Sequence, residues 1–216
     1  MAFKEAPQTS AEGEATCAVK LGEKSVFGHV RVRVTPSRLQ VAPRVRDDAL
    51  DAATRKLLAR FLPAIRNGLL SEAERGPRAG YPVIYADIAV LGGTVTNEST
   101  EAAYSMAAAG ALRDAMVRTE ATVVEPHMKF EVTAPEESTG HIVHDLNRRG
   151  ATITDLRPIE GGNKVVAGHV PLAQMFGYAN TLRSLTRGLG TFTLEPYDYQ
   201  PLAGSDHAPS PGRSVR

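Results

Sequence analysis

The sequence predicts an α+β protein of two domains, and three observations carry that prediction. Its 216 residues exceed the roughly 100–150 of an ordinary domain. Apolar residues recur with strand spacing in some stretches and with helix spacing in others. Around Glu125-Pro126 the whole pattern restarts.

Residues 28–35, GHVRVRVT, alternate Val30, Val32 and Val34 with His29, Arg31 and Arg33, which predicts a strand with one buried face and one wet, basic face. From Ala49 to Ala73 the residues Leu50, Leu57, Leu58, Phe61, Ile65 and Leu69 fall at helical spacing, with Pro63 as a kink or break. YPVIYADIAVL, 81–91, reads as a mostly buried strand. LGGTVTNESTEAA, 91–103, then connects it to an alanine-rich helix over Ser99–Arg118, for which Ser99 or Asn97 is the expected cap.

In the second half, MKFEVT (128–133) alternates as a strand and EESTGHIVHDLNRRG runs as a helix ended by Gly150. ATITDLRPIE and KVVAGHV, joined through Gly161-Gly162-Asn163, form a hairpin. Leu172, Met175, Phe176, Ala179, Leu182 and Leu185 make one apolar helical stripe, and GTFTLEPY is the last strand. The order strand, helix, strand, strand, helix, strand is that of a ferredoxin-like split βαβ domain. The expected domains are 1–124 and 125–200, followed by a disordered tail over 201–216 rich in Pro, Gly and Ser.

Hydrophobic residues make up 42% of the chain and charged residues 23%, the balance of a globular protein. No apolar run approaches the roughly 20 residues of a membrane span, and the N-terminus lacks a signal-peptide pattern, so the expectation is cytoplasmic, without a membrane partner. The single cysteine, Cys17, excludes an internal disulfide and any multi-cysteine metal site. Net charge is only +1, but Arg31, Arg33, Arg44, Arg46, Arg148, Arg149, Arg183 and Arg187 come in short groups, which suits either a phosphate-binding face or a solvated surface.

Catalytic constellations are hard to find. RGLGTF and EGGNK lack the strand, spaced glycines, Lys-Ser/Thr and helix of a nucleotide-binding loop. His141 and His144 share a helix face but have no third ligand at suitable spacing, so no metal is expected. No Gly-x-Ser-x-Gly elbow is present, and Glu136-Glu137 and Asp47-Asp48 suit a helix start or a loop. The chain is expected to bind rather than to catalyse, with no cofactor of its own.

One resemblance sharpens this. Glu125-Pro126, Pro135-Glu136-Glu137, Asp145-Leu146-Asn147-Arg148-Arg149 and Met175-Phe176-Gly177-Tyr178 fall in the order and spacing of the last domain of the elongation factor G family. AEGEA, FGHVRVRVTP, FLPAIRNGL and GPRAGYPV are similar to the domain before it, so the resemblance covers about residues 2–200. It implies a left-handed βαβ fold for the first half, reaching the decoding site of the small ribosomal subunit, and a last domain lying against ribosomal RNA of the large subunit. It further implies tip contacts to transfer RNA and messenger RNA from Gly22, Glu23, Lys24, Ser25, Thr96, Asn97, Glu98 and Ser99, and ribosomal RNA contacts from Arg31, Arg33, Arg148, Arg149, Arg183 and Arg187. GTP and Mg²⁺ would belong to a GTPase domain outside this chain. The chain begins almost where the family's fourth domain begins, so it is expected to be a fragment of a longer factor in preference to a free-standing protein, and to be monomeric.

The tip departs from the family. Leu21-Gly22-Glu23-Lys24-Ser25 replaces a glycine- and arginine-rich loop, and Thr94-Val95-Thr96-Asn97 replaces a segment that usually holds a histidine, while Glu98-Ser99-Thr100-Glu101 keeps the acid-hydroxyl-hydroxyl-acid start. The expected function is ribosome binding in translocation. The alternatives are a ribosomal protection or rescue factor of the tetracycline-resistance type, or, in a different class, a small-molecule kinase on the same βαβ fold.

Overall fold

The computed structural model describes residues 3–21 and 24–202. Gly22, Glu23 and positions 203–216 of the expected tail lie outside the described residues, as do the side chains of Leu21 and Lys24. The chain divides into two compact units, changing over between Val124 and Glu125.

In the first unit, β1 (Lys4–Ala6) is followed by the long hairpin of β2 (Ala11–Leu21) and β3 (Lys24–Pro36). Then come β4 (Arg44–Arg46), α1 (Ala52–Leu58), α2 (Leu62–Arg75), β5 (Ala86–Thr94) and α3 (Glu101–Arg118). The sheet order is β2-β3-β5-β4, with β4 parallel to β5, so β4, the two helices and β5 form a βαβ unit. Asp51 caps α1 by accepting from Ala53 N and Thr54 N, each at 2.9 Å. Pro63 marks a true break: α1 ends at Leu58, and the proline sits in the first turn of α2, where its missing N–H costs nothing.

The strand expected over 81–91 begins five residues later, at Ala86. Tyr85 takes a left-handed φ of 55° and its N–H donates to Val41 O, so the ladder cannot extend backwards through it. Val30, Val32 and Val34 face a core shared with Ile88, Val90, Leu58, Ile65, Leu69 and the alanine face of α3. That face, with Ala103, Ala107, Ala108, Ala111 and Ala115 buried, lets the helix backbone approach the sheet closely. Buried Glu72 on α2 accepts from Arg113 of α3 at 2.9 Å, an ion pair that ties the two helices together.

The second unit uses β6 (Thr122–Pro135) from Glu125 onward, then α4 (Thr139–Arg148), β7 (Thr152–Ile159), β8 (Asn163–Pro171), α5 (Tyr178–Leu185) and β9 (Thr191–Pro201). Strands β7, β8, β6 and β9 are neighbours in that order, the ferredoxin-like arrangement expected from the pattern. Gly161 and Gly162 turn the β7–β8 hairpin with φ of 82° and 73°, values open to glycine at no steric cost. Phe130, Val132, Ile142, Leu146, Val166, Val170, Met175, Tyr178 and Leu182 form its core.

The apolar stripe from Leu172 to Leu185 is not one helix. Leu172–Met175 is a 3-10 turn, Phe176 is extended at ψ 127°, Gly177 is left-handed at φ 74°, and α5 begins only at Tyr178. The break shifts the helical phase, so Met175 and Tyr178 point inward and Phe176 is 79% exposed. Phe176→Ala is therefore expected to change stability by less than about 0.5 kcal/mol, as a surface substitution does, rather than by the several kcal/mol of an emptied core site. Urea denaturation of the two proteins side by side checks this.

His127 is buried beside His169, with ring centroids 5.7 Å apart, and Tyr197 stacks on His169 at 5.0 Å. Burial first, then repulsion from His169, holds the His127 pKa below its ordinary 6.5, with Asp198 partly opposing. Below that value the unfolded chain takes up a proton that the folded chain resists. Stability is therefore expected to fall as pH drops below about 6.5, by at most about 1.4 kcal/mol per pH unit from this group. His127→Gln should flatten that part of the slope when urea midpoints at pH 7.5 and 5.5 are compared; an unaltered slope would exclude His127 as its source.

Candidate RNA-facing surfaces

The described part of the first unit's tip is built where the first half of β3 meets the segment between β5 and α3. Phe27 N donates to Glu98 O at 2.9 Å and Thr100 N donates to Phe27 O at 3.2 Å, which stitches that segment along the start of β3. Within it, Ser99 Oγ accepts from Thr96 N at 2.9 Å and Thr96 Oγ1 accepts from Glu98 N at 3.3 Å, so the hydroxyls hold the turn's own backbone. Two side chains fasten Thr94, the residue that leads into it. Tyr104 donates from its hydroxyl to Thr94 O at 2.7 Å, and His29 Nδ1 lies 3.0 Å from Thr94 Oγ1.

The α3 cap is Thr100, whose hydroxyl accepts from Ala103 N at 3.3 Å, and not Ser99 or Asn97. Ser99 is unavailable because its oxygen already serves Thr96, and Asn97 lies a turn too early. Thr96, Asn97 and Glu98 are exposed, whereas Ser25 and Ser99 are half-buried. The exposed end thus offers a hydroxyl, an amide and a carboxylate. Such groups favour hydrogen bonds to sugar or base edges and, through Glu98, repel phosphate.

The arginines divide into free and committed groups. Arg31 and Arg33 project from the face of β3 opposite the valines, and both are exposed. Arg33 donates to Glu12 across the hairpin at 2.6 Å and 3.1 Å, so its charge is partly compensated, while Arg31 makes no ion pair among the described residues. In the second unit, Arg148 and Arg183 are exposed in the last turns of α4 and α5, and Arg187 is exposed at a left-handed φ of 52°. Arg149 differs. Its side chain is 19% exposed, pairs with Asp145 at 2.7 Å, donates to Gln174 O and to Thr181 Oγ1, and lies 5.1 Å from the centre of the Tyr178 ring. It is a clasp joining α4 to the 3-10 turn and α5, and its guanidinium is spent inside the protein.

His141 and His144 are exposed on α4, and the described residues contain no cluster of three or more groups able to hold a metal. No described helix is long and apolar enough to cross a membrane.

Comparison with known proteins adds to this geometry. The model of elongation factor G domain IV matches residues 1–120, and the model of the elongation factor G C-terminus matches residues 122–208. The chain belongs to the elongation factor G family. Elongation factor G of Thermotoga maritima is 35% identical over 202 residues, which is 93% of this chain and 29% of that protein. Elongation factor G of Thermotoga neapolitana shows the same identity and coverage. A crystal structure of a Thermus thermophilus protein superposes with a TM-score of 0.80 at 28% identity, covering 94% of this chain and 30% of that one. The chain thus corresponds to the last two domains of elongation factor G and spans about 29% of the length of the curated relatives it matches. It is a region of a translation elongation factor.

Sequence reasoning missed what holds the segment between β5 and α3. Thr100 and Tyr104 are the residues that set the loop, and the acidic Glu101 in the first turn of α3 is the one local signal for a cap directly before it.

Proposed function

We propose that this chain is the ribosome-binding arm of an elongation-factor-G-like protein, acting in translocation without chemistry of its own. The observation that carries this is the side-by-side match to domain IV and the C-terminal domain, with a stitched tip in the first and exposed helix-end arginines in the second. The tip, from Lys24 and Ser25 to Ser99, faces transfer RNA and messenger RNA. Arg31, Arg33, Arg148, Arg183 and Arg187 meet ribosomal RNA phosphates. A GTPase domain of the parent factor binds GTP and Mg²⁺ and drives the arm in and out of the space that transfer RNA must vacate. The arm works as a monomer in the cytoplasm.

Cosedimentation of the chain with ribosomes over a potassium chloride series tests the proposal. Binding that weakens steeply with salt is expected, because each phosphate contact releases counterions. A folded sample that fails to pellet with ribosomes at low salt would refute it.

The composition of the tip favours a second reading, a ribosomal protection or rescue factor. Val95 and Thr96 stand near where the family usually carries a histidine, and the exposed end supplies a carboxylate in place of a base. Supplying the parent factor to a ribosome stalled before translocation distinguishes the two. A translocase moves the transfer RNAs, whereas a protection factor clears a blocking drug without moving them.

A further inference from the structure

β2 stands at the edge of the first sheet, with β3 on one side and no strand on the other among the described residues. Its 11 residues would make a long template for pairing with another chain if the whole edge were open. In an antiparallel pair the N–H and C=O of one residue point to the same side, and successive residues alternate. Glu14 N bonds a side chain outside the β2–β3 ladder, and the register is unbroken, so Glu12, Glu14, Thr16, Ala18 and Lys20 are the residues whose main chain faces outward. The first two are occupied. Asp114 Oδ2 accepts from Glu14 N at 3.1 Å, Arg118 Nη1 donates to Glu12 O at the longer distance of 3.4 Å, and Arg118 Nη2 donates to Asp114 Oδ1 at 2.9 Å. An i, i+4 carboxylate and guanidinium on α3, bonded to each other, thus supply the acceptor and the donor that a neighbouring strand would bring. Their reach follows from Gly13: with no Cβ there, the main chain of Ala111 and Ala115 seats directly on β2, and Asp114 and Arg118 stand beside and one turn beyond that contact. The outward groups of Thr16 and Ala18 have no such side-chain partner among the described residues.

We propose that the Asp114–Arg118 pair is an edge guard, an autoinhibitory contact that keeps β2 from pairing with the β2 of a second copy of this chain. A second copy is the partner that fits, because the edge is the same in both and an antiparallel pair about a two-fold axis would extend both sheets at once. Centred on Thr16, such a pair sets Glu14 opposite Ala18 and Glu12 opposite Lys20, an acid facing a base at each end. Both guards stand in its way, since each occupies the Glu12 and Glu14 groups that the pairing needs. With the guards in place only the stretch from Thr16 onward is free, too short a ladder to hold two copies together by itself.

Hydrogen exchange and sedimentation velocity of the full chain test the guard. In wild type the Glu14 amide is expected to exchange roughly tenfold more slowly than the outward amides of Thr16 and Ala18, a reading that needs no variant. Equal exchange at the three would overturn the proposal even if the variants fold poorly. Asp114→Ala/Arg118→Ala should lose that protection and self-associate about tenfold more strongly than wild type over a concentration series. Adding Ala18→Pro should return it to the wild-type profile, because that N–H faces outward and its loss breaks no bond to β3. Arg60→Ala/Glu101→Ala removes another exposed ion pair of the same unit with the same change of charge, and should sediment as wild type. Three sedimentation results overturn the proposal: a double variant that matches wild type, association that survives Ala18→Pro, or equal association in Arg60→Ala/Glu101→Ala.

Discussion

Tyr104→Ala is expected to destabilise the first unit by about 3–5 kcal/mol, among the largest effects of any single truncation in this chain. The ring is fully buried, stacked on Phe61 with centroids 4.3 Å apart, and its hydroxyl reaches out of the core to Thr94 O at 2.7 Å. Removing it empties a site between the start of α2 and the start of α3, and both are anchored backbones that cannot collapse inward. Tyr104→Phe separates the two contributions. It keeps the packed ring and deletes one hydrogen bond, for a cost of about 1 kcal/mol. Burial pushes the Tyr104 phenol above its ordinary pKa, so the donor stays protonated through neutral pH. Urea unfolding of both variants, followed with hydrogen exchange at residues 94–100, checks the division. If Tyr104→Phe cost as much as Tyr104→Ala, the hydroxyl and not the ring would be the anchor. Faster exchange in the tip of Tyr104→Phe, with the core still protected, is the expected signature of a loosened loop on an intact fold.

How far the sequence could be read follows from which interactions set each element. The valine alternation of β3, the turn at Gly161-Gly162 and the break at Pro63 are local, and local chemistry located them. Phe176 is the instructive failure. Its spacing matches the stripe of Met175, Leu182 and Leu185, but Gly177 adopts a left-handed conformation that resets the helical phase, and periodicity counts residues without sensing that reset. The start of β5 was equally hidden, since it depends on Tyr85 donating to Val41, far back in the chain. The same limit applies at the surfaces. Arg149 looks like its neighbour Arg148 in sequence, and only tertiary contact with Asp145, Thr181 and Tyr178 distinguishes a clasp from a free cation.

Gly13→Ala is expected to cost about 3 kcal/mol, and Gly13→Val to prevent the first unit from folding, because the obstacle is backbone and not a movable side chain. A Cβ at this position of β2 would stand 2.3 Å from Ala115 N and 2.4 Å from Ala111 O, both in the main chain of α3. No rotamer change relieves such a contact, so the helix itself must lift from the sheet. Lifting it separates Ala103, Ala107 and Ala111 from the valines of β3, and it moves Thr100 and the tip that Thr100 caps. A methyl group placed at this point of β2 is thus expected to disturb the far end of the domain as well as its core. Gly92→Ala is the matched control, since its Cβ would meet nothing within 4 Å, and it should unfold within about 0.5–1 kcal/mol of wild type. Thermal and urea melts of the three proteins decide the matter. Gly13→Ala folding with wild-type stability would mean that α3 does not seat on β2 as closely as 2.3 Å requires, and the small-residue face of the helix would then need another explanation.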